Sequence, residues 1–162
     1  MTDIALVMAP DGTGADLAVV NGDLATDDTL LTAVIISLGC NRVADASDGV
    51  PPGGDMGGWW GDAYLPPLPD GAPDYIGCKA WLYLRCTATQ VNANKICAAF
   101  RDGLAWMIVD GVAADVAVTG TWASATALQT LVTIAQITAG GVLATRQFDL
   151  LWNATTGTVV VQ

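Results

Sequence analysis

The sequence has no histidine and no glutamate, and its two lysines and four arginines stand against 16 aspartates, for a net charge of −10 over 162 residues. Each shortage removes a class of function. Without histidine there is no Ser-His-Asp triad, no Cys-His pair and no His-ligated catalytic metal. Without clustered Lys and Arg there is no footprint for nucleic-acid phosphates. No stretch reaches the roughly 18 uninterrupted apolar residues of a membrane span. The longest, around Ala33 to Leu38 and Leu104 to Val109, stop well short. No basic region precedes the short run between Asp3 and Asp11, so no signal peptide is expected and the protein is read as made in the cytoplasm. The four cysteines, Cys40, Cys78, Cys86 and Cys97, include no CxxC pair, so a zinc site would need all four thiolates from irregular spacings. On one helix Cys78 and Cys86 would lie about 12 Å apart, too far for a direct bridge. Buried free thiols are the expectation, with a late bridge through Cys40 in an assembled particle as the alternative.

What is present is apolar: 52% of the residues, with only 14% charged and a mean hydropathy of +0.46. A chain of this length fits one domain, 1–162, whose core buries about 70% of the unfolded surface. Aspartate is a poor helix former and a good turn and cap residue, so most of the acidic side chains belong in loops. A surface so short of charge fits an exterior partly covered by other subunits. A lineage bias toward Ala, Val, Gly and Thr accounts for it equally well.

Along the chain, Asp3 to Met8 reads as a strand followed by a turn at Pro10, Asp11, Gly12 and Gly14. Asn21-Gly22, between Asp16–Val20 and Asp23–Ala25, is a strong signal for a tight hairpin. Leu30, Leu31, Val34, Ile35 and Leu38 recur at helical spacing, predicting a helix over about Asp28 to Leu38 capped by Thr26 or Asp27. Asn41 to Gly77 has no periodicity and holds every proline but one, so it is a long loop. Trp59, Trp60, Tyr64 and Tyr75 make its composition a poor one for disorder. Cys78 to Cys86 reads as a short helix or a strand, with Trp81, Leu82 and Leu84 as core candidates. Thr89 then caps a helix whose stripe is Ile96, Phe100, Leu104 and Met107, with Ala99 and Ile108 alongside, ending at Asp110-Gly111. Asp115–Thr121, Leu128–Thr138 and Val142–Trp152 are β-rich, with Gly140-Gly141 closing a hairpin between the last two. Thr158, Val159, Val160 and Val161 predict an edge strand. No internal repeat is visible. The fold class is α+β: a small antiparallel sheet, from an N-terminal hairpin and C-terminal strands, packed with two or three helices and one long ordered loop.

Few residues offer chemistry. Asp27-Asp28, or Asp55 and Asp62, are of the right type for a glycosidase's two carboxyls, yet nothing around them marks a raised pKa, and water-exposed caps and turns are the plainer reading. Asp45, Asp48, Asp55 and Asp62 offer oxygens to calcium without the spacing of an EF-hand loop. Gly12, Gly14, Gly53, Gly54, Gly57 and Gly58 form no nucleotide loop, because no Gly-Lys-Ser/Thr or GxGxxG follows a strand. No catalytic residue, cofactor or metal is expected. The informative constellation is Gly57-Gly58-Trp59-Trp60-Gly61-Asp62, two large apolar rings where the backbone can turn sharply. The rings plug the chain's own core or anchor a neighbour, or one does each.

The run NGDLATDD, the helix LLTAVIISL, then GWWGD in a Gly/Pro-rich loop, and finally LAWMIVDGVA resemble the Mu-like baseplate protein family of contractile-tailed phages, over most of the chain from Asp3 to Trp152. GWWGD is the most specific element. The resemblance implies an α+β wedge component of the sheath-initiator class, a structural protein of the virion tail assembled in the host cytoplasm. It further implies about six copies contacting other wedge proteins, the tail sheath protein and the central hub and tube. Gly58, Trp59, Trp60, Gly61 and Asp62 match the family motif and become interface candidates. Main-chain pairing of a partner strand with Thr158–Val161, or with Ile4–Met8, is a mechanism consistent with that role. The competing expectations are a tail-associated acidic carboxylate hydrolase and a carbohydrate-binding tail module using Trp59 and Trp60.

Overall fold

The computed structural model describes residues 3–9, 14–27, 29–50, 54–68, 71–137 and 141–162. Six short strands come first: β1 (Asp3–Ile4), β2 (Leu6–Met8), β3 (Ala15–Leu17), β4 (Val19–Val20), β5 (Asp23–Leu24) and β6 (Thr26–Asp27). Helix α1 (Leu31–Gly39) precedes a long connection carrying two 3-10 turns, Asp62–Tyr64 and Ala80–Tyr83. Helices α2 (Gln90–Gly103) and α3 (Trp106–Val109) lead into β7 (Asp115–Trp122), β8 (Ala127–Ile137), β9 (Leu143–Asn153) and β10 (Val159–Val161). The fold is α+β, as the patterning predicts. Pro10, Asp11, Gly12, Asp28, Gly53 and Gly140, read above as turn, helix-start or loop positions, lie outside the described residues.

The last four strands form one antiparallel sheet in the order β10-β9-β8-β7. Its period-two patterning is clean. Val116, Val118, Leu128, Thr130, Val132, Ile134, Phe148, Leu150 and Trp152 point inward, while Thr119, Thr121, Gln129, Gln147 and Asp149 point to solvent. Against the inner face lies α2, with Ala93, Ile96, Cys97 and Phe100 buried at helical spacing. The Thr89 hydroxyl caps it by accepting the Asn92 N–H at 3.2 Å. Full burial of Phe100 or Trp152 contributes about 2–3 kcal/mol each. Leu104 and Met107 are buried as the stripe predicts, but the helix does not run through to Asp110. It stops at Gly103, where a side chain would bring its Cβ within 2.7 Å of Cys78 Cβ, and the chain re-forms a separate turn, α3. That break rotates Ile108, expected to pack alongside the stripe, into solvent.

Residues 3–9 and 14–27 are built differently. They make three two-stranded antiparallel ladders, β1 with β6, β2 with β3 and β4 with β5. The ladders meet at Ala5, Ala18 and Ala25, which close a ring: Ala5 N–H donates to Ala25 C=O, Ala25 to Ala18 and Ala18 to Ala5, each at 2.9 Å. A repeat that sequence reading overlooked underlies this ring: Asp3-Ile4-Ala5, Asp16-Leu17-Ala18 and Asp23-Leu24-Ala25. The alanines sit half-buried at the centre, where three backbones converge. In each unit the aspartate Oδ1 accepts the N–H of the next residue, Ile4, Leu17 or Leu24, at 2.7–2.8 Å. Because antiparallel bonding alternates, these N–H groups face away from the ladders, and the carboxylates satisfy them. Asn21 and Gly22, at φ of 54° and 83°, make the expected tight hairpin turn between β4 and β5.

The three-armed unit is tied to the body by Thr32 of α1. Its buried hydroxyl accepts the Leu6 N–H at 3.2 Å and donates to Ile4 C=O at 2.9 Å, filling the place of a neighbouring strand residue. The first strand is therefore not an open edge at Ile4 and Leu6. Helix α1 starts at Leu31, three residues later than predicted, because Leu30 is held buried in a left-handed conformation at φ 71°. Asp27 still serves the helix start: its carboxylate accepts the Thr29 N–H and hydroxyl at 2.9 and 2.6 Å and the Leu31 N–H at 3.0 Å. Burial pushes that carboxyl up, but the bonds from Thr29, Thr32 and Leu31 outweigh it and hold the group below the usual carboxylate range. No described helix is long and apolar enough to cross a membrane.

Candidate functional site

The long connection after α1 is ordered by main-chain bonds rather than by helix or sheet. Residues 40–44 lie extended between two other pieces of chain. On one side Cys78 N–H donates to Cys40 C=O and Arg42 N–H to Cys78 C=O, both at 3.0 Å. On the other, Gly58 N–H reaches Asn41 C=O at 3.1 Å and Ala44 N–H reaches Met56 C=O at 2.7 Å. Trp81 locks this arrangement by donating its indole N–H to Arg42 C=O at 2.8 Å. This use explains why the predicted core trio fails: Trp81 and Leu82 are only half-buried and Leu84 is exposed, while Cys78 and Ala80 fill the core position.

Within that frame the residues of the Gly58–Asp62 motif divide their tasks. The Trp59 ring lies against Gly61, where any Cβ would overlap it, so glycine there is a packing requirement. Asp62 fixes the loop with both carboxylate oxygens, one accepting the Trp59 N–H at 3.1 Å and the other the Ile76 N–H at 3.2 Å. Trp59 is half-buried, whereas Trp60 is 78% exposed and Tyr64, which follows in the 3-10 turn, is 83% exposed. Trp60 lies tilted by 46° against Trp59, at 5.1 Å between centroids, and meets Tyr64 edge-on at 6.5 Å. One tryptophan thus belongs to the loop and one faces outward. Sequence reading missed Tyr64 as a companion of Trp60. The signal available was the spacing of four across a short helical turn.

The other candidate groups do not converge. Lys79 bridges Asp45 and Asp48 at 2.5 and 2.6 Å, Asp55 accepts the Gly57 N–H, and Asp62 is occupied as described. Burial pulls the Lys79 ammonium down, but the two carboxylates outweigh it and raise its pKa. Among the described residues no group of three or more Cys or Asp side chains could hold a metal ion. All four cysteines are free, Cys78 and Cys97 buried. Burial pushes every one of these thiols up, Cys78 to about 11, which favours the thiol over the thiolate.

The second candidate surface is β10, which among the described residues pairs with β9 alone. Asn153 N–H donates to Thr158 C=O and Gln162 N–H to Asp149 C=O, so Thr158, Val160 and Gln162 face β9. By alternation, Val159 and Val161 direct their backbone groups outward. Thr158 and Val159 also line an apolar groove of about 310 Å³ with Leu6, Ala15 and Ile35. The groove at this edge shares no residue with the hollow lined by Gly58, Trp59 and Trp60, so the two candidate surfaces are made of different residues.

A family model described as "Phage protein GP46" matches residues 30–141, which take in α1, the tryptophan loop, α2, α3, β7 and β8. The chain belongs to that family. Baseplate protein gp46 of Escherichia phage Mu is 37% identical to it over 112 residues, covering 68% of this chain and 71% of the Mu protein. The resemblance to Mu-like baseplate proteins is therefore shown by direct comparison, and the GP46 match spans the Gly58–Asp62 loop.

Proposed function

We propose that the chain is a structural, non-catalytic component of a contractile-tail baseplate, resident in the virion, acting as one domain. In this reading it joins neighbouring wedge proteins, the central hub and the first sheath ring, with about six copies per tail. Membership of the GP46 family supports the baseplate role. The observation that carries the finer reading is Trp60 beside Tyr64. Both rings stand in solvent on a loop whose Trp59, Gly61 and Asp62 are fully engaged in holding it rigid, as an interface anchor requires. A catalytic reading finds no support in Asp62, whose carboxylate already accepts two backbone N–H bonds. A flat sugar platform is disfavoured by the 67° angle between the Trp60 and Tyr64 rings.

The second contact in this reading is strand addition at β10. Val161→Pro removes an outward N–H and leaves the bonds to β9 in place, whereas Val160→Pro breaks the ladder. Val161→Pro should leave the melting temperature near wild type while blocking tail assembly, scored by electron microscopy. Normal tails carrying Val161→Pro would eliminate the strand-addition role. Normal tails carrying Trp60→Ala with Tyr64→Ala would eliminate the anchor.

A further inference from the structure

The three-armed unit has two unlike faces. Residues opposite one another in a ladder, and residues two apart in a strand, share a side. By the registers Leu6↔Leu17, Val19↔Leu24 and Ile4↔Thr26, one face gathers Ile4, Leu6, Leu17, Val19, Leu24 and Thr26. Ile4, Leu17, Val19 and Leu24 are between 41 and 63% exposed, a contiguous aliphatic patch on a unit too thin to have a core of its own. The outward backbone N–H groups of Ile4, Leu17 and Leu24 are capped by Asp3, Asp16 and Asp23, and that of Leu6 by Thr32. Strand addition is thereby obstructed at these four positions of the arm edges, while the aliphatic face stays open.

Charge decides what would cover it. Six aspartates and no lysine or arginine precede Arg42, and three of the carboxylates are pinned along the arms that carry the patch. A second copy would bring like charge against like, and an anionic membrane would be repelled. We propose that this face docks a partner protein presenting an apolar centre ringed by lysine or arginine, through side-chain packing and not through strand pairing. The proposal rests on the baseplate reading, since the partner is sought in the tail. Its patch precedes the 30–141 segment of the family match, so it is made of different residues from the tryptophan loop.

The test places a photoreactive benzophenone side chain at Leu17 or Leu24 of the full chain in assembled tails, with Val20, on the opposite face, as control. Crosslinks from Leu17 and Leu24, but not Val20, to a tail protein segment with at least two nearby Lys or Arg residues are expected. Asp16→Asn with Asp23→Asn keeps a capping oxygen and removes charge, and should lower the crosslink yield by about tenfold, the scale of two rim ion pairs. Crosslinks to another copy, to an acidic segment or equally from Val20 would overturn the proposal, as would none from tails that contain the chain. A yield unchanged in the Asn variant would overturn the basic partner. Tails lacking the chain altogether would overturn the baseplate reading along with it.

Discussion

The four-stranded sheet and the three-armed unit draw on the same residues, Val, Leu, Ala and Thr in extended backbone, yet they are stabilised by opposite means. In the sheet, β8 and β9 pair over 11 residues and bury Val132, Ile134, Leu150 and Trp152 against α2. In the arms, among the described residues, no ladder exceeds three residue pairs, Ile4, Leu17, Val19 and Leu24 face water, and backbone bonds with three capping aspartates hold the geometry. The difference teaches that this molecule separates stability from recognition. The sheet and α2 carry the free energy of folding, and the arms leave apolar surface unburied.

Substitutions can break that contrast or sharpen it. Phe100→Ala should cost about 3–5 kcal/mol in chemical denaturation, because it empties the middle of the α2 and sheet contact. Thr32→Val leaves the Leu6 N–H and Ile4 C=O without their partner and should cost about 1–3 kcal/mol. Hydrogen exchange should quicken in residues 3–27 alone. If β8 and β9 amides quicken equally, the two regions are not energetically distinct. Asp27→Asn keeps one acceptor oxygen and sets a donor where the other received the Leu31 or Thr29 N–H, and should cost about 1 kcal/mol at pH 7. The Asp27 pKa is lower folded than unfolded, so its contribution is complete above the unfolded value and is lost as pH falls through the folded one. Urea titrations of wild type and variant should therefore converge in acid below the ordinary carboxylate pKa of about 3.9. Leu24→Ser should change stability by no more than about 0.5 kcal/mol, since the side chain is exposed. A larger loss would mean that the patch is part of the folded core.

The parts legible in the sequence were those with a long period. β7, β8 and β9 were read to within one residue at nearly every boundary, because alternation over eight to eleven residues is hard to mistake. The α2 stripe was legible for the same reason, up to Gly103, where the close approach of Cys78 ended it. The N-terminal arms were read as one strand and one hairpin. Their pairing depends on a ring of three alanines far apart in sequence, and a three-residue repeat carries too little periodicity to announce itself. The Gly58–Asp62 loop was legible as a motif but not in its division of labour. Which ring turns inward depends on Gly61 lacking a side chain and on Asp62 reaching Ile76, fourteen residues away.

The ring of alanine hydrogen bonds also makes the arms interdependent. A ladder of two or three pairs does not persist alone in water. Peeling any one away from the centre would strand a donor on one neighbour and an acceptor on the other. The amides of Ala5, Ala18 and Ala25 should consequently exchange with a single rate, set by concerted opening, so a partner that grips one arm immobilises the remaining two without touching them.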